Sequence, residues 1–418
     1  MPETTPTAER ANQRNAVIAC FLGWTLDAFD FFILTFLLAP IGKDFHKSIP
    51  EMALAILASL ATRPIGAFVF GLLADRYGRR LPLMLDILFY SAIEVASGFA
   101  PSYSVFIVLR LLYGIGMGGE WGVGASLAME SVPAKWRGIL SGVLQEGYAF
   151  GYLLAAVAYW LVFPHFGWRA MFFIGGAPAL LTLFIRSKVK ESAAWAASAR
   201  MKWGAYFDSI LQNWKRFAYL VLLMALMNFI SHGTQDFYPT FLQSQRGYSP
   251  RATALITVLS MIGAIVGGIL VGLYSDRRGR RRAMIGAAIF AVALIPLWIA
   301  APNLPLILLG AFLMQFMVQG AWGVIPAHIN ELSPDTLRGF FPGLAYQLGV
   351  LFAASSAYLE AIMGKRMSYG HAMGIFAAIV LIVGAVVIAL GPEARGIAFG
   401  GVKAESAPSP SATRKPSG

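Results

Sequence analysis

Gly71-Leu-Leu-Ala-Asp-Arg-Tyr-Gly-Arg-Arg80 recurs 201 residues later as Gly272-Leu-Tyr-Ser-Asp-Arg-Arg-Gly-Arg-Arg281. The same shift carries Trp121-Gly122 onto Trp322-Gly323. It also carries Glu130, Pro133, Arg137 and Gly138 onto Glu331, Pro334, Arg338 and Gly339. Several separated places sharing one offset mark a duplicated chain. Each copy of the loop lies between apolar runs of roughly 20 residues, the length that crosses a bilayer core. Inside a bilayer no water satisfies backbone groups, so these runs are expected to be helices.

Composition agrees with a membrane chain. Of 418 residues, 57% are hydrophobic and 13% charged, with a mean hydropathy of +0.65. A soluble domain carries about a quarter charged residues, so charge here is too scarce to cover a water-facing surface. The net charge of +12 does not point to nucleic acid, because the Lys and Arg residues lie in short loops between apolar runs. A lone cysteine, Cys20, excludes a disulfide within the chain. The first apolar run holds Asp27 and Asp30 and lacks a small-residue cleavage site, so no cleavable signal is expected.

Twelve spans are predicted, at about 15–39, 53–73, 81–99, 103–128, 140–163, 170–186, 218–243, 252–273, 283–301, 304–328, 340–361 and 369–390. They form an all-α integral membrane fold of two pseudo-symmetric six-helix halves, 15–186 and 218–390. The basic stretch 187–217, with Trp195, Trp203 and Trp214, is expected as a cytoplasmic connector holding a surface-lying amphipathic helix. Residues 1–14 are expected as a cytoplasmic N-terminus, and 391–418, rich in Pro, Ser and Ala, as a disordered cytoplasmic tail. Arg10, Arg14, the Arg76/Arg79/Arg80 loop, Lys135, Arg137, the connector, the Arg277–Arg282 cluster and Arg338 fall on one face. The other face carries only Lys43, Lys47, Arg169, Arg246, Arg251, Lys365 and Arg366. Lys and Arg mark the cytoplasmic side. Both termini are therefore expected in the cytoplasm, as an even span number also requires, with the chain in the inner (plasma) membrane.

The G-x-L-A-D-R-x-G-R-R loop between spans 2 and 3, with its copy between spans 8 and 9, resembles the signature of the major facilitator superfamily. The resemblance implies two halves with a substrate site between them near the midplane. Gly71 and Gly272 would permit close helix approach, and Gly78 and Gly279 a tight turn. Asp75 and Asp276 can accept hydrogen bonds from helix-start amides or pair with an arginine. Arg76, Arg79, Arg277 and Arg280 supply such arginines and also set topology. These loops are read as conformational elements, not as the substrate site.

Charge within hydrocarbon is expensive, so every ionisable residue inside a span is a functional candidate. Asp27 and Asp30, three residues apart, share one face of the first span. Arg63, Asp86, Glu94, Arg110, Glu120, Glu146 and His328 occupy later ones. The seventh span reads Asn228-Phe-Ile-Ser-His-Gly-Thr-Gln-Asp-Phe-Tyr-Pro-Thr240. Asn228, His232, Asp236 and Thr240 recur every four residues, with Ser231 and Gln235 beside them, so one polar stripe runs along an apolar helix. Interhelical hydrogen bonding would explain a lone Asn or Ser. An adjacent His and Asp among five or six polar groups point to a wet cavity, and Gly233 and Pro239 weaken the helix as a broken, cavity-lining segment requires. The pattern N-x-x-[S/T]-H-x-[S/T]-Q-D-x-x-x-T is similar to the signature of the lactate/pyruvate:proton symporters in the sialate:proton symporter family, and every specified position matches. The resemblance implies import of a small monocarboxylate with a proton. Chain length favours the small-acid branch over the longer sialic acid branch.

A carboxylate substrate needs a cationic anchor, and Arg110 is the candidate, because its planar fork can bind a carboxylate bidentately. Arg110 opens the span-4 stretch R-L-L-Y-G-I-G-M-G-G-E-W-G, similar to the superfamily's R-x-x-x-G-x-G-x-G pattern. Pairing with an acid such as Asp27 or Glu120 is its plainer alternative. Asn228, His232, Gln235 and Tyr238 are expected to face the substrate. Asp27, Asp30, Glu120 and the His232/Asp236 pair are the candidate proton carriers, with Glu94, Glu146 and His328 as lesser ones. The chain has no phosphate-binding loop, H-E-x-x-H pair or G-x-S-x-G elbow, so it is not expected to be an enzyme or to hold a cofactor or metal. Expected partners are a small carboxylate, a proton and the lipid bilayer, with no nucleic acid, and the chain is expected to be a monomer. Three rivals stand beside this reading. Trp24-Thr-Leu-Asp-Ala-Phe-Asp-Phe31 resembles the D-G-x-D pattern of aromatic-acid symporters, with Ala28 in place of the glycine. A drug:proton antiporter would carry a Gly-Pro pair that the fifth span lacks, and a non-transporting sensor would keep the fold alone. The 201-residue offset fails at the candidate site: Asp27 maps to Asn228, Asp30 to Ser231, Arg110 to Ala311 and Glu120 to Ala321.

Overall fold

The structure is a computed structural model that describes residues 6–198 and 203–400. Among the described residues it is built of helices, with no strand. Nine of the helices have the length and apolar character to cross a bilayer. Three further crossings complete twelve: Tyr103–Ser131, which carries Arg110 and Glu120, and two interrupted ones at 168–188 and 341–364.

The first span is one helix, Pro6–Asp44, so much of the predicted N-terminal segment is helical. Spans 2 to 4 are Ile49–Tyr77, Arg80–Gly98 and Tyr103–Ser131. Span 5 starts at Arg137 and is interrupted at Glu146, where Arg137–Gln145 gives way to Gly147–Ile174. That second helix turns at Gly167, whose φ of 72° suits only glycine, so spans 5 and 6 are joined without a loop. Span 6 then breaks at 175–178 and resumes as Ala179–Lys188. Span 7 is Trp214–Gln235 followed by Tyr238–Ser244, and its break falls at Asp236 and Phe237. Spans 8 to 10 are Pro250–Arg278, Arg280–Ala300 and Leu304–Leu332. Span 11, predicted as one run, is split into Phe341–Ala353 and Ser356–Gly364. Span 12 is Tyr369–Leu390.

The connector contains two short helices, Ala193–Ala197 and Trp203–Gln212, instead of one surface helix. Trp195 is buried, and its ring N–H donates to the Asp75 carbonyl at 2.8 Å. The expectation of a disordered tail is corrected over 391–400, where side chains pack under the bundle; 401–418 lie outside the described residues. Phe399 is 7% exposed, with the guanidinium groups of Arg137 and Arg338 at 3.4 and 3.7 Å from its ring centre. Glu393 accepts from the Arg280 and Arg281 amides, while the Arg137 guanidinium donates to the Ile397 carbonyl at 2.7 Å.

Candidate functional site

A cavity of about 600 Å³ lies between the halves. Span 7 contributes the polar stripe and Tyr238, span 8 contributes Thr253, Thr257 and Ser260, and span 10 contributes Gln315, Gln319 and Trp322. The first half contributes Phe32, Gln145, Glu146, Tyr148 and Tyr152. Of the five residues predicted to face a substrate, Asn228, His232, Gln235 and Tyr238 line this space, and so does Asp236.

The stripe is organised by amides on span 10. Gln235 donates to Gln315 at 2.8 Å, Gln315 donates to the Thr234 carbonyl and hydroxyl at 3.2 Å, and Gln319 donates to Ser231 at 2.9 Å. His232 Nδ1 and Asp236 Oδ2 are 3.0 Å apart, with side chains 35% and 43% exposed, so this pair meets water in the cavity. Asn228 donates to the Met224 carbonyl at 2.8 Å, and Tyr238 donates to the Trp298 carbonyl at 3.3 Å. Gln315 and Gln319 escaped the sequence reading. The signal was there: two amides four residues apart in an apolar span share a face.

Tyr346 forms an aromatic floor with the duplicated tryptophans. Its ring stacks on Trp121 at 4.3 Å and meets Trp24 and Trp322 edge-on at 6.3 and 6.0 Å. The Arg63 guanidinium lies over the Tyr346 ring, 5.9 Å from its centre.

Arg110, the expected substrate anchor, does not line the cavity in this structure. Its guanidinium pairs with Glu94 at 2.8 Å, donates to Ser97 and packs against Phe106, Tyr113 and Phe172, with no exposed side-chain surface. Both contacts use Nη2; Nε and Nη1 are buried and have no hydrogen-bond partner among the described residues. Its acidic partner is Glu94, not Asp27 or Glu120. Asp27, Asp30 and Glu120 are likewise buried inside the first half, away from the cavity lining. Together with Asp86, their carboxylate oxygens find no hydrogen-bond partner among the described residues. Arg63 is the charge that faces Asp27 and Glu120. Asp27 and Glu120 therefore lie with Arg63, and Asp30 lies beside Asp27 and the Glu94–Arg110 pair, while His232 and Asp236 form a second group in the cavity.

The basic face is closed by two symmetric clasps. Asp75 accepts from the Gly339 and Phe340 amides at 2.6 and 3.1 Å, at the entry to span 11 of the opposite half. Asp276 accepts from the Gly138 and Ile139 amides at 2.8 and 3.0 Å, at the entry to span 5. Each aspartate also pairs with the arginine four residues on, Arg79 at 2.5 Å and Arg280 at 2.8 Å. Those arginines bind Glu130 and Glu331 through two nitrogens each. Burial opposes the Arg79 charge, but Glu130 and Asp75 outweigh it and hold the guanidinium above its ordinary range. Burial and then Asp75 push the Tyr206 phenol up, and its hydroxyl donates to Asp75 at 2.8 Å. A Cβ on Gly71 would stand 2.9 Å from the Phe340 Cα, and one on Gly272 would strike the Gly138 carbonyl. Gly78 and Gly279 turn the chain with φ of 101°. The cavity lies toward the opposite face, since its span-8 lining runs from Thr253 to Ile265 whereas the clasp uses Asp276.

Among the described residues, no cluster of His, Cys, Asp and Glu is arranged to hold a metal ion. Residues 20–284 match the description Major Facilitator Superfamily, and residues 222–393 match Sugar (and other) transporter. A probable 4-methylmuconolactone transporter of Cupriavidus pinatubonensis is 30% identical over 96% of this chain and 95% of its own length. The sialic acid transporter NanX of Escherichia coli is 30% identical over 87% of this chain and 89% of its own. The proton:xylose symporter XylE superposes with a TM-score of 0.75 at 18% identity, covering 94% of this chain and 98% of that one.

Proposed function

The chain belongs to the Major Facilitator Superfamily, and on that premise we propose that it imports a small organic acid together with a proton. It is a secondary transporter and not an enzyme. The finer reading is a lactate or pyruvate symporter of the inner membrane, working as a monomer with both termini in the cytoplasm. The observation that carries it is the span-7 stripe, whose His232–Asp236 pair faces the water-accessible cavity while Asn228, Gln235 and Tyr238 line the same wall. On this reading the cytoplasmic face is the basic one, and the clasps hold it shut while the cavity faces outward.

The roles divide by burial. Amides and phenols of the cavity bind and orient the acid. Among the described residues, no Lys or Arg lines the cavity, so we assign the cationic contribution to Arg63, behind Tyr346. A carboxylate buried without a partner is destabilised by several kcal/mol while charged. A proton removes that penalty, so the Asp27/Asp30/Glu120 cluster can carry one between the two faces, with His232 and Asp236 at its entry.

One observation favours a second reading. A space of about 600 Å³ walled by Tyr148, Tyr346, Trp298 and Trp322 exceeds the needs of a three-carbon acid. It suits a ring-bearing or longer carboxylate, and aromatic faces reward such a substrate. Uptake into proteoliposomes under an inward acid gradient separates the readings, with lactate, pyruvate, benzoate, muconate and sialate as substrates and competitors. Asp236→Asn should lower gradient-driven accumulation at least tenfold while leaving exchange measurable. Failure of every organic acid to enter or compete would overturn the proposal.

A further inference from the structure

Glu146 belongs to neither proton cluster. It sits where span 5 is interrupted, is 5% exposed and lines the cavity. Its Oε1 is buried and has no hydrogen-bond partner among the described residues. That oxygen is pressed against Gly268 of span 8 so closely that a Cβ there would collide with it. The Gln319 carbonyl of span 10 lies 3.6 Å from that Cβ position, and so flanks the same glycine as the Glu146 oxygen. No Lys or Arg of spans 1, 8 or 10 pairs with the carboxyl among the described residues. The titratable groups sharing its cavity are His232 and Asp236 on span 7, Tyr148 and Tyr152 on its own span, Tyr238, and Tyr346 on span 11.

The internal repeat says what this position does. Under the 201-residue shift, Glu146 maps to Gln347, Gly268 to Ala67 and Gln319 to Gly118. In the second half, Gln347 donates from its amide to the Gly118 carbonyl at 3.3 Å, tying span 11 to span 4 across the halves. The mate of that carbonyl is the Gln319 carbonyl, which flanks Gly268 together with the Glu146 carboxyl. An amide is always a donor, whereas a carboxyl donates only when protonated. The two ties are therefore equivalent in place and different in chemistry.

We propose that Glu146 is a further proton-carrying residue, which when neutral ties span 5 to span 10 beneath the cavity, as Gln347 ties span 11 to span 4. This rests on the proton-coupled reading above. Proton and contact are then linked: removing the proton loosens the tie, and parting the halves releases the proton. Opening the cytoplasmic face must part this contact, so a proton taken from the outer side is given up on the inner side.

The test uses the full chain with Cys20→Ala and spin labels at Lys135→Cys and Arg278→Cys, both exposed and on opposite halves of the basic face. In the parent, the separation should lengthen as pH rises through neutrality. Glu146→Gln should keep it short across the range. In proteoliposomes the same variant should lose at least tenfold of acid-driven accumulation. The reciprocal Gln347→Glu should create a pH-dependent opening of its own, which also covers a Glu146→Gln protein that fails to fold. A parent pH profile preserved in Glu146→Gln, or no new pH dependence in Gln347→Glu, overturns the assignment. Absence of organic-acid transport in the parent would instead refute the transport reading, since the spin-label arm needs no substrate.

Discussion

Phe399 gives a measurable handle on the closed basic face. Its ring is held between Arg137 of the first half and Arg338 of the second, at 3.4 and 3.7 Å from the ring centre. The segment leading to it is fastened to the second half, because Glu393 accepts from the Arg280 and Arg281 amides and Arg395 donates to the Arg277 carbonyl. When the face opens, the segment stays with that half and the ring loses Arg137. A desolvated cation–π contact contributes about 2 kcal/mol, or ~30-fold in an equilibrium. Phe399→Ala should therefore favour the open state by ~30-fold, raising a minor population of about 1% to roughly 20%. Spin labels at Lys135→Cys and Arg278→Cys read this as a new long-distance component. Phe399→Leu keeps apolar bulk without the π face and should fall between the two. An unchanged distance distribution in Phe399→Ala would refute the reasoning, because the contact would then contribute nothing to closure.

Two further outcomes are expected. Arg110→Ala leaves Glu94 buried and unpaired, which costs about 3–5 kcal/mol; it should lower the Tm of the purified protein, and Glu94→Gln in the same chain should restore part of the loss, with substrate affinity retained by calorimetry below that Tm. Loss of affinity at unchanged Tm would return Arg110 to the substrate site. Hydrogen bonds from Lys47 and from the Ser48 amide and hydroxyl lower Glu51 from 4.5 to about 2. Its folded value lies below the unfolded one, so the cap of span 2 is fully supported above the ordinary carboxylate range and is lost as pH falls through about 2. Amide exchange at Glu51 and Met52, corrected for intrinsic rates, should show unchanged protection above about pH 5 and a progressive loss as pH falls from there toward 2.

The fold was legible because bilayer helices announce themselves by length and apolarity, and because the repeat fixed their number. Boundaries failed where helices break. Nothing in the apolar run 340–361 signals the interruption after Ala353, and Gly167 replaces the expected loop by a single residue. Phe399 was hidden in a tail whose composition reads as unstructured, since a single aromatic held by two distant arginines leaves no local periodicity. The stripe on span 7 was readable because Asn228, Ser231, His232 and Gln235 share one helix face; Thr240 lies beyond the break and does not line the cavity. Arg110 was misplaced for the opposite reason: its environment is made by Glu94 and Ser97 of another span, and spacing along one chain cannot tell an arginine aimed at a cavity from one aimed at a neighbour.

The way the symmetry fails carries the functional argument. At the clasps the copies agree atom for atom: Asp75 and Asp276 each cap the opposite half, and Arg79 and Arg280 each bridge to a glutamate. Matched clasps stabilise closure and carry no preference for substrate or proton. The groups that differ are those that can change charge or accept a ligand. Under the 201-residue shift Asp27 corresponds to Asn228, and Glu146 to Gln347. Each pair sets a carboxyl against an amide of nearly the same shape. At these two pairs shape is conserved across the repeat while the titratable group is kept in the first half, and that asymmetry lets two equivalent halves respond differently to a proton.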